Sequence, residues 1–316
     1  GVYMLRLVLV KIYVKRKYPA LDFYAEPNEG ALKQKNAALL HQVVGIIVNN
    51  TDTTVLTICL GAKSLLEVSV YGIYMMVVNA VNQLMTSFSN GLTAGFGEVI
   101  AKNEEETLKK SYSSYEYMYF VIMFIVIACM GVLILPFVGV YTINLTDVQY
   151  VRPVLGILFT LIVFMQNVRI PGLTIICAAG HYKETRYQAI LEAVINITVS
   201  LGLVWKFGMA GVLLGTVCSY GYRSFEIVFY TSRHLVKGCA KKSIFRILRN
   251  VFTVAILCTV GTYVIPQEIT SFTTWFLYAI GMGLTSVFFV VVINYVVEPD
   301  EFMQLRHRVN DIIKKE

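Results

Sequence analysis

The chain has 316 residues, of which 56% are hydrophobic and only 15% are charged, and its mean hydropathy is +0.64. A soluble domain of this length would carry far more polar surface, so the composition predicts a protein that crosses the membrane several times. The formal net charge of +7 does not indicate nucleic-acid binding, because the basic residues fall between hydrophobic spans and form no single patch.

Hydrophobic spans follow one another regularly along most of the chain. Residues 1–14 are too short to cross about 30 Å of hydrocarbon and are predicted to be the end of a truncated transmembrane helix. Residues 15–35 contain two prolines, a glycine and five basic residues and are predicted to be a linker. Complete spans are then predicted at 37–60, 65–90, 113–139, 151–178, 186–205, 209–231, 247–265 and 272–297. The sequence therefore predicts an all-α, polytopic membrane helix bundle with eight complete helices and a partial one before them.

Lysine and arginine accumulate on one side of these spans. Placing the 15–35 linker in the cytoplasm puts 20 of the 27 basic residues on that side and leaves Lys63, Arg152 and Lys206 on the other. The carboxyl end is then cytoplasmic as well. Its last segment, 298–316, has apolar residues at helical spacing among charges and is predicted to lie along the membrane surface as an amphipathic helix.

Five of the predicted spans carry polar residues three or four positions apart, which places them on one face of a helix. Such a face is not suited to lipid, so these helices are predicted to surround a polar interior. The stripes are Gly45, Asn49 and Asp52; Asn79, Asn82, Gln83, Thr86 and Asn90; Gln166 and Arg169; Gln188, Glu192, Asn196 and Ser200; and Thr216, Ser219, Tyr220, Arg223 and Glu226. By contrast, 113–139, 247–265 and 272–297 are uniformly apolar in the middle and are predicted to be peripheral and lipid-facing.

Three charged residues, Asp52, Arg169 and Glu192, lie deep within predicted spans. A charge at the bilayer centre costs at least about 2.5 kcal/mol, so each needs a partner or a water-filled space. Arg169 and Glu192 are similarly distant from the polar turn 180–185, and we expect them to face one another. A single amide between membrane helices often contributes only about 0.6 kcal/mol, so a structural role stays the favoured alternative for any one Asn or Gln.

Two local features qualify this pattern. Pro171-Gly172 directly follows Arg169 and is expected to kink the helix and free backbone groups at that depth. Arg223 and Glu226 lie nearer the predicted cytoplasmic end, where a local ion pair or snorkelling suffices.

Motifs for nucleotide hydrolysis, metal binding and serine hydrolysis are missing from the sequence: there is no glycine-rich phosphate loop, no HExxH and no Gly-x-Ser-x-Gly. The chain is therefore not expected to be an enzyme, and we expect no cofactor. The cysteines in apolar spans are expected to be reduced packing residues.

Short motifs then recur in a fixed order along the chain. They are Asn49-Asn50-Thr51-Asp52 followed by Leu60-Gly61, Val168-Arg169-Ile170-Pro171-Gly172, Ala179-Gly180-His181-Tyr182-Lys183-Glu184-Thr185, Glu192-Ala193 with Asn196, and Gly208 to Thr216. In this order and spacing, from about residue 15 to 297, the chain resembles the carboxyl-terminal half of a polysaccharide flippase of the multidrug/oligosaccharidyl-lipid/polysaccharide exporter superfamily.

The resemblance implies an architecture. Members of that family have fourteen helices, arranged as two six-helix lobes around a central cavity followed by an extra pair. On this pattern, 1–14 resembles the end of the sixth helix, 15–35 the inter-lobe linker, 37–231 the second lobe and 247–297 the extra pair. The first lobe has no counterpart here, so the resemblance implies a fragment, with a separate chain as one source of the missing lobe.

The resemblance also implies a function: flipping of an undecaprenyl-diphosphate-linked oligosaccharide across a bacterial plasma membrane for cell-surface polysaccharide synthesis. The implied partners are the bilayer and this lipid-linked substrate, with no nucleic acid. Arg169 would bind the diphosphate. Asp52 or Glu192 would bind a coupling proton or sodium ion. The amides expected to hydrogen-bond sugar hydroxyls are Asn79, Asn82, Gln83, Gln188 and Asn196.

The sequence leaves three alternatives open. A cation-coupled multidrug antiporter of the same superfamily would favour acidic residues in the cavity, and Arg169 argues mildly against it. A membrane-embedded glycan polymerase or glycosyltransferase usually needs large loops outside the membrane, and the outer loops predicted here are short. The third alternative is a structural remnant that transports nothing.

Overall fold

A computed structural model describes residues 1–19, 34–89, 92–266, 268–304 and 306. The structure is 86% helical, with no strand among the residues it describes, and the prediction of an all-α polytopic bundle is confirmed. The chain divides into two compact units, Gly1–Asn36 and Ala37–Glu316.

The first unit carries helix α1 (Val2–Lys17), none of whose residues is buried. The helix continues beyond residue 14 through Lys15, Arg16 and Lys17, and the assignment of 1–14 to the end of a truncated transmembrane helix stays a prediction. Basic residues in a last helical turn interact favourably with the negative end of the helix dipole. Most of the predicted 15–35 linker, residues 20–33, lies outside the described residues.

Ten helices of the described chain follow. They are α2 (Lys35–Cys59), α3 (Ser64–Ser89), α4 (Leu92–Ala101), α5 (Glu105–Tyr141), α6 (Pro153–Val168), α7 (Ile170–Ala178), α8 (Arg186–Phe207), α9 (Met209–His234), α10 (Ala240–Val264) and α11 (Phe272–Val297). Each of the eight predicted spans corresponds to a long helix or, for 151–178, to the pair α6 and α7. Helix α4 was not predicted.

Within the described part of the chain, six stretches are long and apolar enough to cross a membrane. They are Ser64–Ala101, Glu105–Tyr141, Pro153–Ala178, Arg186–Phe207, Ala240–Val264 and Phe272–Val297. Helices α2 and α9 are as long, but they do not meet the same criterion, and both carry polar stripes. The second unit is therefore a membrane-embedded helix bundle. It is a single compact unit, and the finer bounds 37–231 and 247–297 stay predictions.

Helix α5 lies at the centre of the second unit, packed against α3, α4, α6, α7, α10 and α11. Its side chains Phe120, Met123, Phe124 and Ala128 are almost completely buried. The prediction that span 113–139 is peripheral was therefore wrong. An apolar helix suits lipid and protein interior equally well, because lipid tails are as apolar as leucine. Helices α10 and α11 both rest on α5 and keep large side chains such as Phe288 exposed.

Helices α8 and α9 form a tight hairpin around Gly208, whose φ of +56° favours glycine. Above the turn, a Cβ on Gly215 would lie 2.1 Å from Ser200 Oγ, and one on Gly211 would lie 2.4 Å from the Leu203 carbonyl oxygen. Small residues at these positions let two membrane helices approach closely. This approach brings the polar stripe of α8 against that of α9.

The expected kink is a complete interruption: α6 ends at Val168, α7 begins at Ile170, and Arg169 lies between them. Pro171 has no N–H to offer the carbonyl of Asn167, four residues earlier, so the helical ladder cannot continue through this point. Below the break, α7 lies against α9 so closely that a Cβ on Gly172 would lie 2.5 Å from Ile227 Cγ2. The interruption places the Arg169 side chain between helices.

Only part of the predicted amphipathic tail, 298–316, can be assessed. Residues 299–304 are helical, and all later ones except Arg306 lie outside the described residues. Two acidic residues of this segment, Glu298 and Glu301, form ion pairs with basic residues of α10. The described part of the tail is thus tied to the bundle.

Candidate functional site

The expected pairing of the two deeply placed charges is present. Arg169 Nη1 donates a hydrogen bond to Glu192 Oε1. The guanidinium also lies over the ring of Tyr220, with 4.5 Å from Cζ to the ring centroid. Its Nε is buried and has no hydrogen-bond partner within the described part of the chain. A buried guanidinium with an unused N–H is a strong site for an anionic oxygen.

A second arginine joins this pair from α9. Arg223 is only 3% exposed at its side chain, its Nε lies 3.6 Å from Glu192 Oε2, and its Nη1 donates to Glu226 Oε2. Arg169, Glu192, Arg223 and Glu226 thus alternate in charge, and we call them the charge chain. The i,i+3 spacing of Arg223 and Glu226 indicated their own pairing, but the link to Glu192 depends on the close packing of α8 on α9.

Three residues of the charge chain, Arg169, Glu192 and Arg223, line a cavity of about 430 Å³, which we call the first cavity. At one end His41 Nε2 lies 3.0 Å from the carbonyl oxygen of Tyr182, so α2 meets the turn between α7 and α8 there. The volume falls in the range of about 300–1,000 Å³ that small-molecule sites occupy. The polar or charged lining residues are His41, Gln42, Asn49, Gln166, Arg169, Tyr182, Thr185, Glu192, Tyr220 and Arg223.

Asp52 lies in the wall of an adjoining cavity of about 390 Å³, the second cavity. The residue is only 4% exposed. Thr216 Oγ1 donates to Asp52 Oδ1 over 2.7 Å, and Tyr71 donates to Oδ2 over 3.3 Å. Asn196 in turn donates to Thr216 Oγ1 over 3.0 Å. These hydrogen bonds come from neutral groups, and Asp52 has no cationic partner among the residues that the structure describes.

Four residues, Val48, Asn49, Gln166 and Tyr220, line both cavities. We call the two adjoining cavities together the polar chamber. The structure thus places Asp52, Arg169 and Glu192 around one chamber. Asp52 lies on α2, Arg169 at the break between α6 and α7, and Glu192 on α8.

The amides predicted to bind sugar separate into two groups. Asn79 and Asn82 line the second cavity, and Asn82 donates to Gln166 Oε1 over 2.9 Å. Asn196 is completely buried outside the lining of both cavities, where it supports Thr216. We therefore assign Asn79 and Asn82 to the chamber and Asn196 to the positioning of its wall.

The structure does not bring Gln83 and Gln188 to the chamber. Gln83 is exposed on α3, one helical turn beyond Asn79. Gln188 lies in the first turn of α8 and is absent from the lining of both cavities. Asn90, the last residue of the α3 stripe, lies outside the described residues.

A second buried ion-pair group lies elsewhere in the bundle, and sequence reasoning missed it. Arg246 on α10 is 1% exposed and forms ion pairs of 3.0 Å with Glu116 on α5 and with Glu298 after α11. Lys242 lies 2.6 Å from Glu301. We call these residues the α5–α10–α11 clamp. Burial raises the pKa of Glu301, but hydrogen bonds from Lys242 and Ser113 outweigh it, and the pKa lies below the usual glutamate value.

A larger cleft of about 660 Å³ lies between α10 and α11. Its lining is almost entirely apolar, with Phe252, Leu257, Leu277 and Phe289 among the larger side chains and no charged residue. This cleft therefore offers no charged group to a ligand.

The fold and the chamber together define a class: a polytopic, all-α membrane protein with a polar chamber lined by charged and amide side chains of several helices. No protein-family model matches the chain, and none of the curated proteins is significantly similar to it.

Proposed function

We propose that this protein moves a lipid-diphosphate-linked oligosaccharide, carried on undecaprenol, from the inner to the outer leaflet of a bacterial plasma membrane. The observation that supports it most directly is the buried Arg169 guanidinium, whose Nε–H has no partner at the wall of a 430 Å³ cavity. A diphosphate offers several anionic oxygens, and a guanidinium binds two of them at once.

The charge chain suits reversible binding of an anion. A diphosphate at Arg169 would compete with Glu192 for the guanidinium. Glu192 would then keep Arg223, whose Nε lies 3.6 Å from its second oxygen. A buried carboxylate that loses its only cation is strongly destabilised, whereas one with a second cation is not. The shared Glu192 therefore lowers the cost of releasing Arg169 to the substrate.

Movement across the membrane needs a driving reaction and a direction. In the proposed mechanism a proton or a sodium ion binds at Asp52 or Glu192 and biases alternating access to the chamber. The excess of basic residues orients the turn 180–185 towards the cytoplasm. The end of the first cavity at His41 and Tyr182 would then be the cytoplasmic one.

The test is binding of a short-chain analogue, a citronellyl-diphosphate-linked disaccharide, to the full chain in lipid nanodiscs. We expect Arg169→Ala to weaken binding at least about tenfold, or 1.4 kcal/mol. Arg169→Lys keeps the positive charge but loses the bidentate geometry of the guanidinium, so its affinity should lie between those of the wild type and Arg169→Ala. Arg233→Ala, an exposed arginine on α9, is the matched control and should change nothing.

In cells, deletion of the gene should remove surface glycan and accumulate the lipid-linked precursor. Complementation by Arg169→Ala should fail, and complementation by Arg233→Ala should succeed. Normal surface glycan with Arg169→Ala would remove Arg169 from the mechanism. Normal glycan after deletion would overturn the proposed function and favour a structural remnant.

A further inference from the structure

The two cavities of the polar chamber differ in charge. The first contains Arg169 and Arg223 with Glu192, whereas Asp52 is the single charged side chain that lines the second. All thirteen lining residues of the second cavity belong to the described chain, and none of them is basic. An anion in the second cavity would therefore meet a carboxylate and no compensating cation.

Unused hydrogen-bonding groups face the second cavity. Asn79 lines it and makes no hydrogen bond within the described part of the chain. Asn49 accepts from Tyr220 over 3.3 Å through Oδ1, which leaves its amide nitrogen available. Amides and a carboxylate are complementary to hydroxyl groups, which donate and accept at once. The second cavity is thus equipped for an uncharged, hydroxyl-rich group.

The shared wall connects this chemistry to the first cavity. A ligand whose diphosphate reaches Arg169 passes Gln166 and Tyr220, which line both cavities, when it extends into the second one. In the proposed substrate the diphosphate joins an apolar polyprenyl chain to a sugar, and of these two neighbours the sugar suits a cavity lined by amides and a carboxylate. That sugar would therefore enter the cavity that contains Asp52.

We infer that the second cavity is the subsite for the sugars next to the diphosphate, and that Asp52 makes it selective for neutral sugars over uronic acids. The inference rests on the proposed function and narrows its substrate class. Like charges repel strongly in a partly desolvated site, and an opposing charge is a common means of rejecting the wrong ligand. Asp52 acts as a specificity residue here without any role in chemistry.

The experiment compares two citronellyl-diphosphate disaccharides that differ only in the second sugar, a hexose or the corresponding uronic acid. Binding is measured in nanodiscs at pH 8 in sodium-free buffer, so that neither proposed coupling ion masks the Asp52 carboxylate. We expect the wild-type chain to prefer the neutral probe at least about tenfold. Asp52→Asn should reduce this preference to within about twofold, mainly by binding the acidic probe better. Asp300→Asn, which removes an exposed carboxylate, should leave the preference unchanged.

The outcomes separate the inference from the function on which it rests. Equal binding of both probes by the wild type overturns the inference and leaves the proposed function standing. Failure of both probes to bind overturns the proposed function. An unchanged preference in a folded Asp52→Asn variant overturns the role of Asp52. Because the wild-type ratio is itself a test, the inference stays falsifiable even where Asp52→Asn fails to fold.

Discussion

Loss of the Arg246 guanidinium is expected to destabilise the attachment of α11 to α5. The side chain is 1% exposed, and in its absence Glu116 and Glu298 would face a buried site without this cation. Breaking a buried ion pair by removing one partner costs about 3–5 kcal/mol, because an uncompensated charge is left behind. We therefore expect Arg246→Met to lower the free energy of unfolding by that amount. Glu116→Gln in the same chain should recover about 1 kcal/mol or more.

Tryptophan fluorescence offers a local probe for this test. The chain has two tryptophans, and Trp205→Phe leaves Trp275 on α11 as the reporter. Trp275 packs on the Phe137 ring of α5, with 5.3 Å between centroids, and donates to the Leu133 carbonyl over 3.3 Å. Unfolding is followed in mixed micelles with increasing dodecyl sulfate. Lys241→Met, an exposed site on the same helix, should change stability by less than about 0.5 kcal/mol. A loss below about 1 kcal/mol for Arg246→Met would refute the reasoning.

Two further predictions concern packing and pH. Gly215→Ala should lower the free energy of unfolding by about 1–3 kcal/mol, because the new Cβ would lie 2.1 Å from Ser200 Oγ. Gly221→Ala on the same helix meets nothing within 4 Å and should be neutral or stabilising. Equal effects of the two substitutions in the micelle titration would contradict the close packing of α8 on α9. Because folding lowers the pKa of Glu301, the ionised carboxylate stabilises the folded protein above the usual glutamate pKa of 4.5. This stabilisation is lost as the pH falls through the lower pKa of Glu301 in the folded protein. Glu301→Gln should therefore flatten the dependence of the unfolding midpoint on pH below about pH 4.5, and an unchanged slope would count against the Lys242 pairing.

The sequence was most informative where a pattern is periodic. Long apolar runs predicted the positions of seven long helices and of the pair α6 and α7, and Pro171 predicted the interruption beside Arg169, because both follow from local chemistry. The surroundings of an apolar helix are a different matter. Span 113–139 was expected at the periphery, yet α5 packs against six other helices. Hydropathy alone cannot separate contact with lipid from contact with protein.

The same distinction applies to the candidate site. Depth within a span correctly indicated that Arg169 and Glu192 would pair, since two isolated charges in the membrane need each other. Periodicity could not locate the ends of the chamber, which is why Gln83 and Gln188 were included although neither reaches it. The clamp was missed because Glu116, Arg246 and Glu298 lie near the ends of spans, where charges are ordinary.

The interruption at Arg169 has a mechanical consequence. It divides one span into two short helices, α6 and α7, which meet at the charge chain. Helix α7 leads directly into the turn that contacts His41. Under the proposed function, exchange of the Arg169 partner would act at this interruption, and any change in the tilt of α7 would move the turn that contacts His41.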